Sequence, residues 1–229
     1  MQRIFVFILG IAFAGGLSAA EKQLELAAPF TDNAILQRET EVPVWGWDVP
    51  GNKVTVQFAG QTKTTVASRY GDWMGKLDPL KVSRTERSLE VRNNRGKSIT
   101  LKGILVGEVW FSSGQSNMVW EADKSMCNQL AKDLASAKEE VPIREININT
   151  VSALYPQKRA TSDDGWKKAS AASGFSALSL SFAHELYKEL NVPIGILLSA
   201  HSNTRIEAFT QREAIEAHPR LKGDTDLIR

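Results

Sequence analysis

In the stretch Gly107–Trp120, GEVWFSSGQSNMVW, an apolar run ends in two serines and then reads Gly114-Gln115-Ser116-Asn117. A serine hydroxyl is a weak nucleophile until a base takes its proton, and the oxyanion formed on a carbonyl substrate needs fixed N–H donors. In open α/β sheets, ligand groups gather at the carboxyl ends of strands beside helix N-termini, and Ser116 follows such a strand. Gly114 lets the backbone turn tightly and approach a ligand. The backbone N–H of Ser116, near a helix start, is a candidate oxyanion donor. Gln115 and Asn117 flank the serine and could hydrogen-bond an acyl group or simply form the turn. The stretch is not a G-x-S-x-G elbow, because position 118 is Met118. Taken alone, a serine in a glycine turn is usually structural.

The chain has three histidines, His184, His201 and His218. His184 reads as a helix histidine beside an apolar stripe, and His218, before Pro219, as a solvated residue at a helix end. His201 follows the apolar run Ile194–Ser199 and would lie near Ser116 in a parallel sheet, where it could touch substrate or the hydroxyl. Glu207, taken by its residue type and place, reads as a surface carboxylate at a helix start. Cys127 is the only cysteine, so no intrachain disulfide forms, and it reads as a buried apolar residue. With no His/Cys cluster and no CxxC, the sequence offers no metal site and calls for no cofactor.

Two grammars of secondary structure position these residues. From 21 to 102, short runs such as EVPVWGW, KVTVQFAG, TKTTVAS, RSLEVRNN and KSITLKG alternate apolar with polar residues between turn signals, which predicts an all-β sandwich. Trp45, Trp47 and Trp73 fall in this part and are expected mostly in its core. From 103 onward, apolar strands at 104–111, 143–148 and 194–199 alternate with helical patterns at about 124–138 and 178–190, and a third helix could start at Gln211. That order predicts an α/β unit with a parallel sheet. Leu178, Phe182, Leu186 and Leu190, with Ala183 and Tyr187 widening the stripe, are expected to form the apolar face of the second helix. The unit, 103–229, has few strands for such a sheet and reads as truncated at its C-terminus.

Residues 1–20 stand apart. A short positive start, the apolar run Ile4–Ala14 and the small residues around Ala19-Ala20 predict a secretory signal peptide, and hence an exported, periplasmic or extracellular protein. No later segment is long enough to be a membrane span. Among 229 residues, 28 basic and 26 acidic ones are well mixed and leave a net charge of +2, so no basic stripe points to nucleic acid.

The motif GEVWFSSGQSNMVW resembles the first block of the sialate O-acetylesterase family of SGNH hydrolases, and the resemblance continues through NAILQRETEVPVWGWDVPGNKVTVQFAG, YGDWMGKLDPL, IREININTVSALYPQKRATSDDGW and FSALSLSFAHELYKELNVPIGILLSAHSNTRIEAFT. It implies an SGNH-type three-layer α/β domain behind a β domain, with Ser116 on the family's nucleophile and Glu207 on a family glutamate that would brace the loop carrying the second oxyanion donor. It also implies hydrolysis of acetyl esters on sugar hydroxyls through an acyl-enzyme, without a cofactor. Two departures accompany it. Where the family has Trp-Gly-Gly-Thr, this chain has His201-Ser202-Asn203-Thr204. A glycine there is expected to give the second oxyanion N–H; Ser202 or Asn203 must supply it instead, and asparagine tolerates positive φ better than serine. Loss of one such donor costs on the order of 10²–10³ in rate. The family's Asp-x-x-His block is also not found, since Ser181, Leu198 and Ile215 stand three residues before the histidines. The base is then missing from these residues, or one histidine has been recruited, and the first reading is preferred.

The resulting expectation is a carbohydrate O-acetylesterase of sialate type acting on an acetylated glycan. A non-catalytic secreted carbohydrate-binding fragment and an acetylxylan-type esterase are the alternatives.

Overall fold

The computed structural model describes residues 23–151, 153 and 157–220; the expected signal peptide lies outside them. Period-two alternation builds the first part of the chain. Strands β1 (Glu25–Leu26), β2 (Ile35–Gln37), β3 (Val42–Trp47), β4 (Lys53–Phe58), β5 (Gln61–Val66), β6 (Asp72–Leu77) and β7 (Ser83–Asn93) precede the long β8 (Ser98–Gly114). In β4, Val54, Val56 and Phe58 are buried while Lys53, Thr55 and Gln57 are not; in β6, Trp73 and Leu77 are buried in the same rhythm. Strands β1, β3 and β6 form a three-stranded sheet, and its buried Val42, Val44, Trp73 and Leu77 share one hydrophobic cluster with Val54, Val56, Leu89 and Val91 of a larger sheet. Burying each such side chain contributes roughly 1.5–3 kcal/mol, which gives the two sheets their reason to meet. Trp73 is in this core as expected, whereas Trp45 and Trp47 are half-buried at its margin.

The larger sheet has eight strands. Its main order is β10-β9-β11-β8-β7-β4-β5, completed by β9 (Ile143–Asn147), β10 (Trp166–Lys168) and β11 (Ile194–Ala200), while β2 also pairs with β8. The three apolar runs expected to be parallel are parallel, in the order β9-β11-β8. The sheet as a whole is mixed, because β10 pairs antiparallel with β9 and β7 antiparallel with β8.

The runs expected as separate strands at 97–103 and 104–111 are one strand of 17 residues, so the position expected to divide two domains falls inside β8. Gly103 lies there at φ +70, and a Cβ on it would come within 2.6 Å of Asn33 Oδ1. Only glycine fits that bend. The register against β7 slips on either side of Arg87 at the same level. The antiparallel ladder with β7 reaches past the bend to Val106, and from Glu108 onward β8 runs parallel to β11.

Buried Arg144 of β9 fastens this corner. It is 1% exposed, and its Nη1 donates to the carbonyl oxygens of Asn33 (2.8 Å) and Gly103 (2.5 Å) while Nη2 donates to Glu86 (3.0 Å) and Glu140 (3.4 Å).

The helices are α1 (Ser116–Val119), α2 (Asn128–Ala135), α3 (Ala177–Leu190) and α4 (Arg212–Ala217). The helix expected over 124–138 is broken: Ser125 Oγ donates to Ala122 O and accepts the Cys127 N–H, which ends a 3-10 turn at 122–124 before α2 starts. Cys127 is half-buried rather than buried, with its Sγ 2.9 Å from Ser181 Oγ. The stripe expected for α3 holds in part, since Ala183 is buried and Leu186 and Tyr187 pack partly buried against the core. Ala177, Ser179, Leu180 and Ala183 are its buried residues, while Leu178 is 53% and Phe182 42% exposed. Small residues let α3 lie close against Ile143, Ile194 and Ile196 of the parallel strands, which form a second hydrophobic cluster with them. Phe182 instead meets Trp110 of β8 edge-on at 5.1 Å, and the next residue of the strand, Phe111, is 67% exposed.

Candidate active site

Ser116 is the first residue of α1 and follows β8 by two positions. Gly114 closes the strand at φ +146, a conformation strained for any residue with a side chain. Gln115 is extended and caps the short helix, and its carbonyl accepts the Met118 N–H at 2.8 Å. The Ser116 N–H is thereby one of the leading amides of a helix, which have no intrahelical acceptor. Gln115, Ser116 and Asn117 are all exposed, so the hydroxyl faces solvent. Met118 anchors the turn from below: its Sδ accepts from Ser179 Oγ at 3.6 Å and Ser176 Oγ at 3.8 Å, at the start of α3. Glu108, at the other end of the motif, accepts from Arg38 Nε at 2.6 Å and Gln37 Nε2 at 3.3 Å. It is a structural anchor for the strand and lies away from the serine turn.

The next parallel strand brings the second loop alongside. Ser199 pairs with Ser113 and Ala200 with Gly114, and the His201 N–H donates to Gly114 O at 2.9 Å. The segment His201–Thr204 therefore starts beside the turn that carries Ser116. Positive φ occurs in this loop at Asn203 (φ +60) and not at Ser202. Asparagine is among the few side-chain-bearing residues that visit this region routinely. Asn203→Gly is expected to leave the thermal midpoint nearly unchanged, whereas Asn203→Val should cost about 1–2 kcal/mol by thermal denaturation.

The histidines do not converge on Ser116. His201 is exposed, and its Nδ1 lies 3.2 Å from Thr150 Oγ1, beyond the end of β9. His184 lies on α3 with Nδ1 3.6 Å from Glu185, and His218 Nδ1 accepts the Arg220 N–H. Among the described residues no histidine ring hydrogen-bonds Ser116. Glu207 is half-buried in a 3-10 turn at 206–209, and no side-chain partner among the described residues makes it a brace.

Between the ends of β9 and β11 lies a cleft of about 610 Å³, lined by Asn149, Thr150, Arg159, Thr161, Ser199, His201, Thr204 and Phe209 among others. Ser116 is not among its lining residues. His201 joins the two places, since its side chain lines the cleft and its backbone is bonded to Gly114. No residue type or spacing in 149–161 singles out a binding role beyond the family resemblance of the stretch, and only the position of Thr150 after a buried parallel strand marks it.

No family model matches the chain. Curated relatives do: the sialate O-acetylesterase of Mus musculus is 28% identical over 83% of this chain and 38% of its own length, and that of Homo sapiens 26% identical over 83% and 39%. A solved carbohydrate acetylesterase from Xanthomonas citri is 30% identical, with a TM-score of 0.76, over 85% of this chain and 44% of that one. The chain aligns with part of the sialate O-acetylesterase family. It spans about two fifths of the length of the curated relatives it matches. The α/β structure with its mixed sheet is thus similar to that of a carbohydrate acetylesterase.

Glu145 is a residue of this region that sequence reading overlooks. It is buried on β9, and both carboxylate oxygens accept the Ser176 N–H at 3.2 Å, directly behind the serine pair that holds Met118. The signal was available, since a glutamate inside a buried parallel strand is rare without a partner. Burial pushes its carboxyl up to about 7, against the smaller opposing effects of the Ser176 N–H and Lys167. Between its ordinary value and about 7 the folded chain keeps a proton that the unfolded chain has released, so rising pH removes stability across that window. Glu145→Gln, which mimics the protonated form, should match the parent at pH 4.5 and exceed it by on the order of 2 kcal/mol at pH 8 in urea titrations.

Proposed function

We propose that this chain carries the nucleophilic serine of an exported carbohydrate O-acetylesterase of sialate type, with residues 21–102 as a β-sandwich unit packed against an SGNH-type α/β unit. Ser116 Oγ attacks the acetyl carbonyl of a sugar ester, and the sugar hydroxyl leaves with a proton. Water then hydrolyses the acetyl-serine, returning acetate and free Ser116. The Ser116 N–H and an N–H of Ser202 or Asn203 hold the oxyanion, and the general base comes from outside the described residues. Support comes from one juxtaposition above all: the Ser116 turn and the His201–Thr204 loop end neighbouring parallel strands, joined by the His201 N–H to Gly114 O bond. The names of the relatives add the substrate class. Gly114, Gln115 and Asn117 shape the turn, and no metal or cofactor enters the reaction.

The absence of a histidine on Ser116 among the described residues favours a second reading, a carbohydrate-binding chain without catalysis. An acetylxylan-type esterase shares the chemistry of the first. Labelling with a fluorophosphonate probe, with the adduct mapped by mass spectrometry, separates catalysis from binding. The esterase reading requires the adduct on Ser116; an unlabelled Ser116 leaves the binding reading.

A further inference from the structure

Helix α1 cannot hold itself in place. It has four residues, none of them buried, and no side chain caps it. A single turn is marginal on its own, so tertiary contacts must fix the direction of Ser116. From below they come from one short segment, 175–177, and the first turn of α3. Ser176 Oγ and Ser179 Oγ donate to Met118 Sδ, the Ala177 N–H donates to Trp120 O at 2.8 Å, and Phe175 O accepts the Ala122 N–H at 2.8 Å.

The polar hold of the sheet on that segment is Glu145. Its two oxygens share the Ser176 N–H, at 3.2 Å each, and accept no other hydrogen bond among the described residues. Opposite it on the neighbouring strands stand apolar Ile196 of β11 and Lys167 of β10, whose Nζ pairs with Asp164 at 2.6 Å. Ser176, Ser179 and Met118, which continue the chain of contacts into α3 and α1, are neutral. A buried carboxylate with one N–H donor is destabilising beside an apolar side chain of the same size, so packing does not account for it. Such groups concentrate where function needs them.

We propose that Glu145 is a positioning residue for Ser116: through Ser176 and Met118 it sets the seat of the turn that presents the hydroxyl. This role rests on the reading of Ser116 as the nucleophile and adds a buried residue that makes no hydrogen bond to it. Labelling the full chain with [13C-methyl]methionine gives a Met118 resonance that reports the seat directly, and Met118→Leu assigns it. Glu145→Leu removes the acceptor and should move that resonance further than those of Met74 and Met126. Glu145→Gln keeps an acceptor oxygen and should leave it in place. At pH 8, Glu145→Leu should lower kcat for 4-nitrophenyl acetate about tenfold with KM little changed, while Glu145→Gln stays within about twofold of the parent. Met118→Leu cuts the same chain of contacts at its other end. It should cost about tenfold as well, and the pair with Glu145→Leu about tenfold rather than about a hundredfold. A Met118 resonance unmoved by Glu145→Leu, or displaced as far by Glu145→Gln, overturns the proposal. So does a hundredfold loss in the pair, and so does an undiminished kcat in Met118→Leu, whether or not Glu145→Leu folds. If the parent hydrolyses no ester, the esterase reading falls by itself and the Met118 resonance alone decides the seating.

Discussion

Ser116→Ala should lower the rate of 4-nitrophenyl acetate hydrolysis by about 10³-fold or more, with KM little changed, because the acyl-enzyme route disappears while the cleft remains. The side chain is exposed at the first position of α1 and makes no hydrogen bond among the described residues, so its removal disturbs no packing. A fall in activity with an unchanged thermal midpoint therefore reports chemistry. Full catalytic triads lose more on this substitution, up to about 10⁶-fold, because a positioned base multiplies the serine's contribution. The size of the drop is thus a gauge of activation: a value near 10³ means a serine assisted by backbone donors alone. Equal rates for the parent and Ser116→Ala would remove the nucleophile from the proposed function.

Arg144→Met is the substitution expected to damage the fold most, by about 3–5 kcal/mol, since it breaks a buried, multiply bonded charge. The carbonyls of Asn33 and Gly103 lose their donor at the bend of β8, and Glu86 and Glu140 lose a counter-charge. Lys168 stays bonded to both carboxylates and limits the loss on that side. Nε of Arg144 is itself buried without a partner, which places the arginine short of full satisfaction. For a chain of this size each kcal/mol moves the thermal midpoint by about 2–4 °C, so a fall of roughly 6–20 °C is expected. A change under about 3 °C would show that the corner holds without this residue.

Much of the scaffold was legible in the residues. Alternation in Lys53–Phe58 and Asp72–Leu77 marks half-buried strands, and the apolar runs at 143–147 and 194–200 mark parallel ones. The joining of two runs into β8 was not legible, because Gly103 reads as a breaker until Asn33, 70 residues earlier in the chain, is seen packed against it. Helix α3 misled for a different reason. Apolar residues at every fourth position predict which face is greasy, not which face the sheet can approach closely, and the small residues Ala177 and Ala183 decide the second question. At the site, parallel strand order alone foretold that the residues after β11 would come beside the end of β8, where the His201 N–H meets Gly114 O. The pairing of His201 with Thr150 and the buried Glu145 depended on tertiary neighbours that no local pattern encodes.

The ladder that carries the serine turn is one-sided. Glu108 N–H and Gly114 O bond toward β11, so the residues between them at even positions face that strand and those at odd positions face away. Val109 finds Gln37 Oε1 on that far side, but Phe111 and Ser113 meet no strand there among the described residues. Backbone groups on such an edge trade bonds with water, and opening of the strand end is resisted by a single row of hydrogen bonds. The spread of positions available to Ser116 is therefore governed by how often the Ser112–Gly114 bonds to β11 open, a matter of local breathing rather than of the chemistry at the hydroxyl.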